Sequence, residues 1–433
     1  MRLRMKFPPF HSSETMMQRL CMLLLFLMSA PLVRAEQCLV IGDSLTKEYE
    51  AEFKGLFPRN PASWQARNWI EILHQRRTDW FDTGTWSAYW DARATGHRYN
   101  WALPGATTAE IRNILWNGWW TGTFEDQIRN EVERVVIFAG GNDADSYYAD
   151  LYNGLVGPEV THTTLTNIQW MVDRIQTVRA AIPIVLVSVP HVGCTPQVQQ
   201  GYPTDPVKTA RVTAAMDQLN ASLAAFAQSR GIGFVPGAYE FTKKIITQPF
   251  RIRGIEFYRQ ADPDSRTRYA FSGDGFHPNT CAHAVIAQMV VDEFNRAYPA
   301  TAIAPLDDYY IVTTVLGLDP NIPYAEWMAA NGQSGAFEQD SDGDGVPNGM
   351  EFALNQSTLP LPAYQGGSLS LTYLPNPVFL EWGTLKAQAS PNLVNWTDIP
   401  VEHTVTHPDG SVTANAAFTG SGFVRLQASP WPW

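Results

Sequence analysis

The chain has 433 residues, which is too long for one ordinary hydrophobic core, so two or three domains are expected. Hydrophobic residues make up 45% of the chain and charged residues 17%, which is typical of a globular protein and not of a disordered one. The formal net charge of −11 disfavours nucleic acid and anionic membranes as partners, because like charges repel.

Residues 1–35 have the pattern of a secretory signal peptide. Basic residues precede an uncharged apolar run at 20–33, and Val33-Arg34-Ala35 places small residues where a signal peptidase cuts. A membrane anchor is the alternative, but the run is too short to span a bilayer comfortably. We therefore expect a secreted, extracellular protein without a membrane span after cleavage; a periplasmic or cell-surface location is the alternative.

Residues 36–300 are predicted to form one α/β domain. Short apolar runs typical of buried parallel strands alternate with amphipathic helices at 65–77, 163–180, 207–229 and 280–297. The predicted strands are Cys38–Ile41, Val135–Ala139, Ile182–Val189 and Ile232–Val235. This alternation predicts a three-layer sandwich around a parallel sheet.

Three cysteines remain after the predicted cleavage: Cys38, Cys194 and Cys281. In an oxidising compartment they allow one disulfide and one free thiol, but the sequence does not identify the pair. Cys38 lies in the first strand and is expected to be buried there.

The first strand leads directly into Gly42-Asp43-Ser44-Leu45. Glycine permits a sharp turn, and the carboxyl end of a parallel strand is where open α/β sheets bind ligands. Ser44 is therefore a candidate nucleophile, which requires a base and a site for an oxyanion.

Two later segments offer hydrogen-bond donors for an oxyanion. Residues 99–108 contain Gly105, whose backbone amide can approach a ligand closely. Gly140-Gly141-Asn142-Asp143 follows the second predicted strand, so the side-chain amide of Asn142 lies at the same edge of the sheet. Taken singly, Gly105 is typical of a turn and Asn142 of a helix start.

Asp274 and His277 stand three residues apart, just before a predicted helix. A tight turn lets the carboxylate orient the imidazole ring, which can accept the serine proton and later protonate the leaving alcohol. His191 and Cys194 follow the third predicted strand, where they could line a pocket, although an ordinary loop is the alternative.

Together and in this order, the four segments resemble the SGNH, or GDSL, hydrolase superfamily. The resemblance covers residues 38 to about 297 and implies a flavodoxin-like sheet. It implies that Ser44 is the nucleophile, His277 the base and Asp274 its orienting acid. It also implies an oxyanion hole formed by the amides of Ser44 and Gly105 and the side chain of Asn142. Such enzymes cleave esters of sugars, lipids and thiols, and their chemistry needs no metal or organic cofactor.

The substrate class is suggested by tryptophan. The chain has 15 tryptophans, and nine of them lie between Trp64 and Trp120. Aromatic faces stack on sugar rings, so Trp101, Trp116, Trp119 and Trp120 favour an acetylated carbohydrate over a lipid or aryl ester. Packing between helices and sheet is the alternative role for these side chains.

Residues 301–356 are predicted to be a helical linker that carries a calcium-binding loop. Residues 340–351 read DSDGDGVPNGME, the spacing at which oxygen ligands surround Ca²⁺. The loop resembles those of dockerins and thrombospondin type 3 repeats, and a structural ion is expected. The predicted ligands are Asp340, Asp342, Asp344, the carbonyl of Val346, Asn348 and Glu351.

Residues 357–433 are predicted to form a small all-β domain, with strands at Val378–Trp382, Thr384–Ala389 and Phe423–Leu426. It resembles the β modules that close many secreted bacterial hydrolases. Trp396, Trp431 or Trp433 could attach it to a glycan, although core packing is the alternative. The whole chain is accordingly interpreted as a secreted serine esterase; the alternatives are an acyltransferase of the same fold and a non-catalytic, calcium-braced glycan-binding protein.

Overall fold

The computed structural model describes residues 35–52, 66–262, 264, 266–300 and 302–431. The predicted signal peptide, apart from its last residue, therefore lies outside the described residues. Among the described residues, no helix combines the length and the apolar character needed to cross a bilayer.

The first 300 residues contain nine described strands and ten described α-helices, joined by short 3₁₀ and π turns. The strands are β1 Cys38–Gly42, β2 Trp86–Ala88, β3 Thr95–His97, β4 Arg134–Phe138, β5 Ile184–Val187, β6 Gly233–Val235, β7 Phe250–Ile252, β8 Ile255–Asp262 and β9 Tyr269–Ser272. The helices are α1 Tyr49–Glu52, α2 Trp69–Arg76, α3 Thr108–Asn117, α4 Thr121–Asp126, α5 Gly141–Asn153, α6 His162–Val178, α7 Pro196–Gly201, α8 Pro206–Arg230, α9 Gly237–Lys244 and α10 Thr280–Ala297.

The central sheet has the strand order β1-β4-β5-β6, and all three pairings are parallel. A short fifth segment runs beside β1, where Trp101 donates to the carbonyl of Val40 and Leu103 donates to that of Gly42. This segment brings residues 99–105 next to the end of β1. The predicted parallel sheet is confirmed: β1 is one residue longer than predicted, β4 is displaced by one residue, and β5 and β6 are four residues and one residue shorter.

Side chains alternate between two apolar layers along each central strand. Leu39 and Ile41 pack with α3, α6 and α8 on one face, whereas Cys38 and Val40 pack with α2 and α10 on the other. Because both faces are covered, the central strands are apolar on both faces, except for the buried Arg134 at the start of β4. The three-layer arrangement follows from these two separate cores.

All three described cysteines carry free thiols and are buried. The disulfide that the sequence allowed is therefore absent from the described residues. Cys38 is packed in the β1–α2–α10 layer, as expected. Burial raises the pKa of the Cys194 and Cys281 thiols to about 12, so both stay protonated and unreactive at neutral pH.

The rest of the chain combines short helices with two antiparallel sheets. The helices are α11 Asp308–Tyr310, α12 Ile322–Ala330, α13 Asn348–Leu354 and α14 Pro377–Trp382. The strands are β10 Ala363–Gln365, β11 Ser368–Tyr373, β12 Gly383–Ser390, β13 Thr397–Asp398, β14 Thr404–Thr406, β15 Val412–Ala417 and β16 Phe423–Pro430. Their orders are β10-β11-β15-β14 and β13-β12-β16, so the additional all-β part is present. The boundaries at residues 300 and 356 stay predictions.

One predicted strand is wrong. Residues 378–382 lie in helix α14, because the side chain of Asn376 accepts a hydrogen bond from the amide of Val378 and Pro377 occupies the first helical position. Phe379 and Trp382, three residues apart, are then buried on one face of that helix.

Candidate active site

Ser44 lies in a tight turn at the carboxyl end of β1 and is only 5% exposed. The turn needs glycine at position 42, because a Cβ atom there would lie 2.3 Å from the carbonyl oxygen of Phe138. Asp43 holds the turn by accepting hydrogen bonds from the amides of Leu45 at 3.0 Å and Gly141 at 3.2 Å. The nucleophile turn, residues 42–46, is therefore fastened to the neighbouring strand end.

The side chain of Asp43 is buried, and burial raises its pKa to about 6 although the two amide hydrogen bonds oppose the shift. Its carboxylate form is the one that accepts both bonds. Around neutral pH, Asp43 is thus mainly ionised and can keep the amide of Gly141 in place.

His277 lies beside Ser44, with its Nε2 atom 2.8 Å from the serine Oγ. Its Nδ1 atom is 2.5 Å from Oδ2 of Asp274, and the other oxygen of Asp274 accepts the backbone amides of Phe276 and His277. The turn between Asp274 and His277 passes through Gly275 at φ +73°, a conformation that favours glycine. The structure thus brings Ser44, His277 and Asp274 into one hydrogen-bonded series.

Two opposing effects set the charge of Asp274. Burial alone would raise its pKa, but the hydrogen bond and the charge of His277, with the two backbone amides, lower the pKa to about 2. The carboxylate is therefore ionised throughout the neutral range. An ionised acceptor at Nδ1 directs the lone pair of Nε2 towards Ser44 when the ring is neutral.

The two predicted oxyanion donors lie next to each other. Gly105 is exposed at φ +74°, and Asn142 is the second residue of α5. One Nδ2 hydrogen of Asn142 goes to the carbonyl of Ala106 at 3.1 Å, which leaves its second hydrogen for a ligand. The bond to Ala106 therefore joins the Asn142 segment to the Gly105 loop.

Asp143 fixes the relative position of these two segments. Its carboxylate accepts the backbone amide of Thr108 at 2.8 Å and the hydroxyls of Thr108 and Thr164 at 2.7 and 3.0 Å. Thr108 begins helix α3, directly after the Gly105 loop. In the sequence, Asn142-Asp143 is typical of a helix start. The position of Asp143 directly after Asn142 is the one feature of the sequence that points to its role in holding the two oxyanion segments together.

A second missed feature connects helix α1, which follows the nucleophile turn, with Pro278, which follows His277. The hydroxyl of Tyr49 donates to the carbonyl of Pro278 at 2.6 Å, and its oxygen lies 2.7 Å from Nε2 of His283. His283 is fully buried, and burial lowers its pKa to about 3, so the ring is neutral and can donate from Nε2 to Tyr49. Nothing in the sequence pattern near Tyr49 points to this contact.

With this geometry established, comparison with known proteins identifies the family. Residues 40–285 match the profile of the GDSL-like lipase/acylhydrolase family. The chain belongs to that family. Membership supports hydrolysis of small-molecule esters as the general activity, and the four sequence segments discussed above all fall within the matched range.

Solved structures with partial similarity to this GDSL-family chain include two bacterial proteins. A proposed acylhydrolase from Bacteroides fragilis NCTC 9343 shares 16% identity over 60% of this chain and 87% of that chain, with a TM-score of 0.31. An extracellular lipase from Streptomyces rimosus shares 18% identity over 46% of this chain and 80% of that chain, with a TM-score of 0.28. No curated protein matches the chain.

Two of the four tryptophans that were expected to favour a sugar ester are buried. Trp101 and Trp116 are buried in the core, where each packs edge-on against Phe124. Trp119 is 88% exposed, but it follows the carboxyl end of α3, a helix about 15 Å long that begins at the active-site edge. Stacking of a sugar on Trp101 or Trp116 would require these buried side chains to move.

The predicted calcium loop has an arrangement that fits a hard cation. Carboxylate oxygens of Asp340, Asp342 and Asp344 lie within 4.8 Å of one another. Glu351 is 2% exposed, and its pKa is raised by burial and by the charges of those three residues, which the amide of Gln333 only partly offsets. The three neighbouring aspartates suit an ion of charge +2, whereas Glu351 bonds to Gln333 and is not among the carboxylates that lie within 4.8 Å of one another.

Two other predicted ligands have roles within the loop. The buried side chain of Asn348 bonds to Ser341 and to the carbonyl of Ala336. The backbone amide of Val346 donates to Asp344 at 2.8 Å. Ligation by Asn348 and by the carbonyl of Val346 stays a prediction.

Proposed function

We propose that this chain hydrolyses carboxylic esters through an acyl-enzyme formed on Ser44. The single observation that supports this most is the hydrogen-bonded series from Ser44 through His277 to Asp274, with spacings of 2.8 and 2.5 Å. A serine needs an adjacent oriented base to become a nucleophile, and this series supplies one.

In the first half-reaction, Nε2 of His277 takes the Ser44 proton while Oγ attacks the ester carbonyl carbon. The carbonyl oxygen becomes an oxyanion, which the amides of Ser44 and Gly105 and the side chain of Asn142 stabilise. The intermediate then collapses: the carbon–oxygen bond to the alcohol breaks, and His277 returns the proton to the leaving oxygen.

In the second half-reaction, a water molecule replaces the alcohol. His277 takes a proton from that water, whose oxygen attacks the acyl carbon. When the second oxyanion collapses, the bond between the acyl carbon and Ser44 Oγ breaks, and His277 returns the proton to Oγ; the carboxylic acid leaves, and Ser44 and neutral His277 are restored. Asp274 stays ionised and orients the ring throughout. The residues of the chain supply every group these steps require.

Replacing Ser44 by Ala tests this proposal. We expect the Ser44→Ala variant to lose hydrolysis of p-nitrophenyl acetate while retaining its melting temperature, and a fluorophosphonate to add covalently to Ser44 of the unaltered chain only. Ser87→Ala, on the exposed strand β2, is the matched control and should behave like the unaltered chain. Hydrolysis retained by Ser44→Ala would disprove the assignment, and no labelling would favour the non-catalytic glycan-binding alternative.

The natural substrate is identified by comparing which esters the enzyme hydrolyses and whether it transfers the acyl group to an acceptor. An acetylated carbohydrate is one candidate for the natural ester, and because Trp101 and Trp116 are buried, lipid and aryl esters stand beside it as alternatives. Release of acetate from acetylated oligosaccharides, compared with turnover of longer-chain esters, separates them. An acyltransferase would use the same residues, and it would be recognised by an acylated product when a sugar acceptor is added.

We also propose that the chain is exported and that residues 357–433 form an accessory domain. The net negative charge and the leader pattern support export. For attachment to a glycan, Trp431 is 39% exposed, whereas Trp396 lies over Arg425 at 4.2 Å and Trp433 lies outside the described residues. Co-sedimentation of the full chain with insoluble polysaccharide, with Trp431→Ala as the variant, tests this role.

For residues 340–351 we propose a structural Ca²⁺ site. The three neighbouring aspartates and the buried Glu351 support it, together with the twelve-residue spacing. The ion would join the loop to helix α13, which contains Glu351, and would take no part in ester hydrolysis.

A further inference from the structure

A small cavity borders the segments that carry the proposed catalytic groups, and its volume is about 40 Å³. Three residues of its wall are chain neighbours of the site residues: Leu45 after Ser44, Gly141 before Asn142 and Phe276 before His277. The site residues themselves are not part of the wall, so the cavity adjoins the site through these three neighbours.

The cavity wall is apolar, because the polar side chains around it are bonded elsewhere. The ring nitrogens of His191 lie 3.2 Å from the amide of Gly193 and 3.1 Å from the hydroxyl of Thr213. The hydroxyl of Thr242 accepts the backbone amide of His191. Burial lowers the pKa of His191 to about 4, so this side chain adds no charge at neutral pH. A hydrocarbon group would meet no unsatisfied polar atom there.

The volume of the cavity limits the size of its occupant. A water-sized group needs roughly 10–15 Å³ of cavity volume, so the cavity has room for about three such groups. The carbonyl of the ester stays at the oxyanion donors, outside the cavity. About one to three further carbons fit, which corresponds to acyl groups from acetyl to butyryl.

Three other wall residues are held by their packing and leave little room for a longer acyl chain. Val192 follows β5, Phe241 belongs to α9 and Ile286 belongs to α10, and all three pack in the apolar cores on either side of the central sheet. Ile286 and Val192 are at most 5% exposed. Close-packed interiors resist such expansion, so extra methylenes are excluded and not accommodated.

We propose that this cavity binds the acyl group of the ester and restricts the enzyme to short acyl chains. The inference rests on the proposed serine-esterase function and adds to it the acyl class. Leu45 and Phe276 are the wall residues that adjoin Ser44 and His277 in the chain, and we assign to Val192 and Ile286 the limit on acyl length.

The first measurement is kcat/KM for p-nitrophenyl acetate, butyrate, hexanoate and octanoate, each below its micellar concentration. Each methylene that fits should raise kcat/KM by about fourfold, the factor that corresponds to about 0.8 kcal/mol per buried methylene. We expect a rise from acetate to butyrate of about fifteenfold and a fall for hexanoate and octanoate.

Two conservative variants should move this limit in opposite directions. Ile286→Val lengthens the cavity by one methyl group and should raise the ratio of hexanoate to butyrate activity by about fourfold. Val192→Ile shortens it and should lower the ratio of butyrate to acetate activity by a similar factor. Ile175→Val and Val172→Ile make the same changes on α6, at buried residues that do not line the cavity, and should leave both ratios unchanged.

The outcomes separate this proposal from the proposed function. If activity rises through octanoate, or if all four variants share the profile of the unaltered chain, the cavity does not bind the acyl group, although esterase activity that depends on Ser44 would stand. If no ester is hydrolysed, the proposed function itself fails. A limit near butyrate that moves only in the two cavity variants supports the inference.

Discussion

The nucleophile turn and the acidic loop at residues 340–351 are both short motifs with strict spacing, but the chain holds them in opposite ways. Ser44 is almost completely buried, and its hydrogen-bond partner His277 lies 233 residues further along the chain. The carboxylates of Asp340 and Asp344 are exposed and accept backbone amides two to five residues away.

Because of this difference, the nucleophile turn is expected to control activity and the acidic loop to control stability. The nucleophile turn meets its hydrogen-bond partners only when the whole sheet has formed. A substitution of Ser44 can therefore change activity while leaving the stability of the fold unchanged. The loop forms its ligand arrangement locally, so it can change stability without touching the proposed reaction. Substitutions in the two regions should therefore separate activity from melting temperature.

The largest expected effect comes from the base. His277→Ala should reduce kcat by about 10⁶-fold, and the double variant Ser44→Ala/His277→Ala should be no worse than either single one, because the two groups act as a unit. His162→Ala, at the exposed start of α6, is the control. Stopped assays with p-nitrophenyl acetate measure this; additive losses would mean that the two residues act independently.

Loss of an oxyanion donor should be the next largest effect. Asn142→Ala is expected to lower kcat by about 10²–10³-fold, mainly without changing KM, because the donor acts on charge that develops only in the transition state. Asn153→Ala, at the other end of α5, removes an exposed amide and should be nearly silent. A change confined to KM would place Asn142 in substrate binding.

Acid should reduce activity more gradually. A histidine base works only when neutral, so kcat/KM should fall about tenfold per pH unit below the range near pH 6.5 in which histidines ordinarily titrate. Asp274 does not produce this limb, because its pKa near 2 keeps it ionised until far lower pH. A pH–rate profile that stays flat to pH 4 would require a different base.

These sites differ in how far the sequence could predict them. The Ser44, Asn142 and His277 segments follow predicted strands or precede a predicted helix, so the parallel sheet alone places them at one edge. The error at residues 378–382 came from a short apolar run, which periodicity cannot assign to helix or strand, although Asn376-Pro377 was a helix-start signal. The disulfide likewise could not be decided from spacing.

Contacts between distant side chains were beyond the sequence for a different reason. Tyr49 and Pro278 are 229 residues apart, and no local pattern links them. The acyl cavity is also a tertiary feature, since its walls come from several separate segments and its volume depends on how closely they pack. Sequence spacing predicts which residues share an edge, but not the empty space that remains between them.

The contact of Tyr49 provides a smaller test of the buried region. Tyr49→Phe leaves the Pro278 carbonyl and the His283 ring without their bonds to the hydroxyl, which should cost about 1–3 kcal/mol in the free energy of unfolding. Because this contact holds helix α1, which follows the nucleophile turn, against the residue after His277, kcat should also fall several-fold. Urea unfolding and kcat measure both; Tyr89→Phe, whose hydroxyl bonds to Thr85 at the surface, is the control. An unchanged kcat would show that Tyr49 supports folding only.

The smallest expected effect on activity, and a clear one on stability, comes from removing Ca²⁺. An ion that binds only the folded loop stabilises it by an amount that depends on its concentration relative to Kd. Extracellular loops of this spacing have Kd of about 10⁻⁴–10⁻³ M, so about 10 mM Ca²⁺ should contribute about 1.4–2.7 kcal/mol. EDTA should therefore lower the melting temperature, millimolar CaCl₂ should restore it, and kcat for p-nitrophenyl acetate should not change below that temperature. Glu351→Gln should abolish the response to Ca²⁺, whereas Glu402→Gln, an exposed acid in the β part, should keep it. An identical melting curve with EDTA and with CaCl₂ would count against the site; a loss of kcat on chelation would instead show that the two regions are coupled, because a locally formed loop should not reach Ser44.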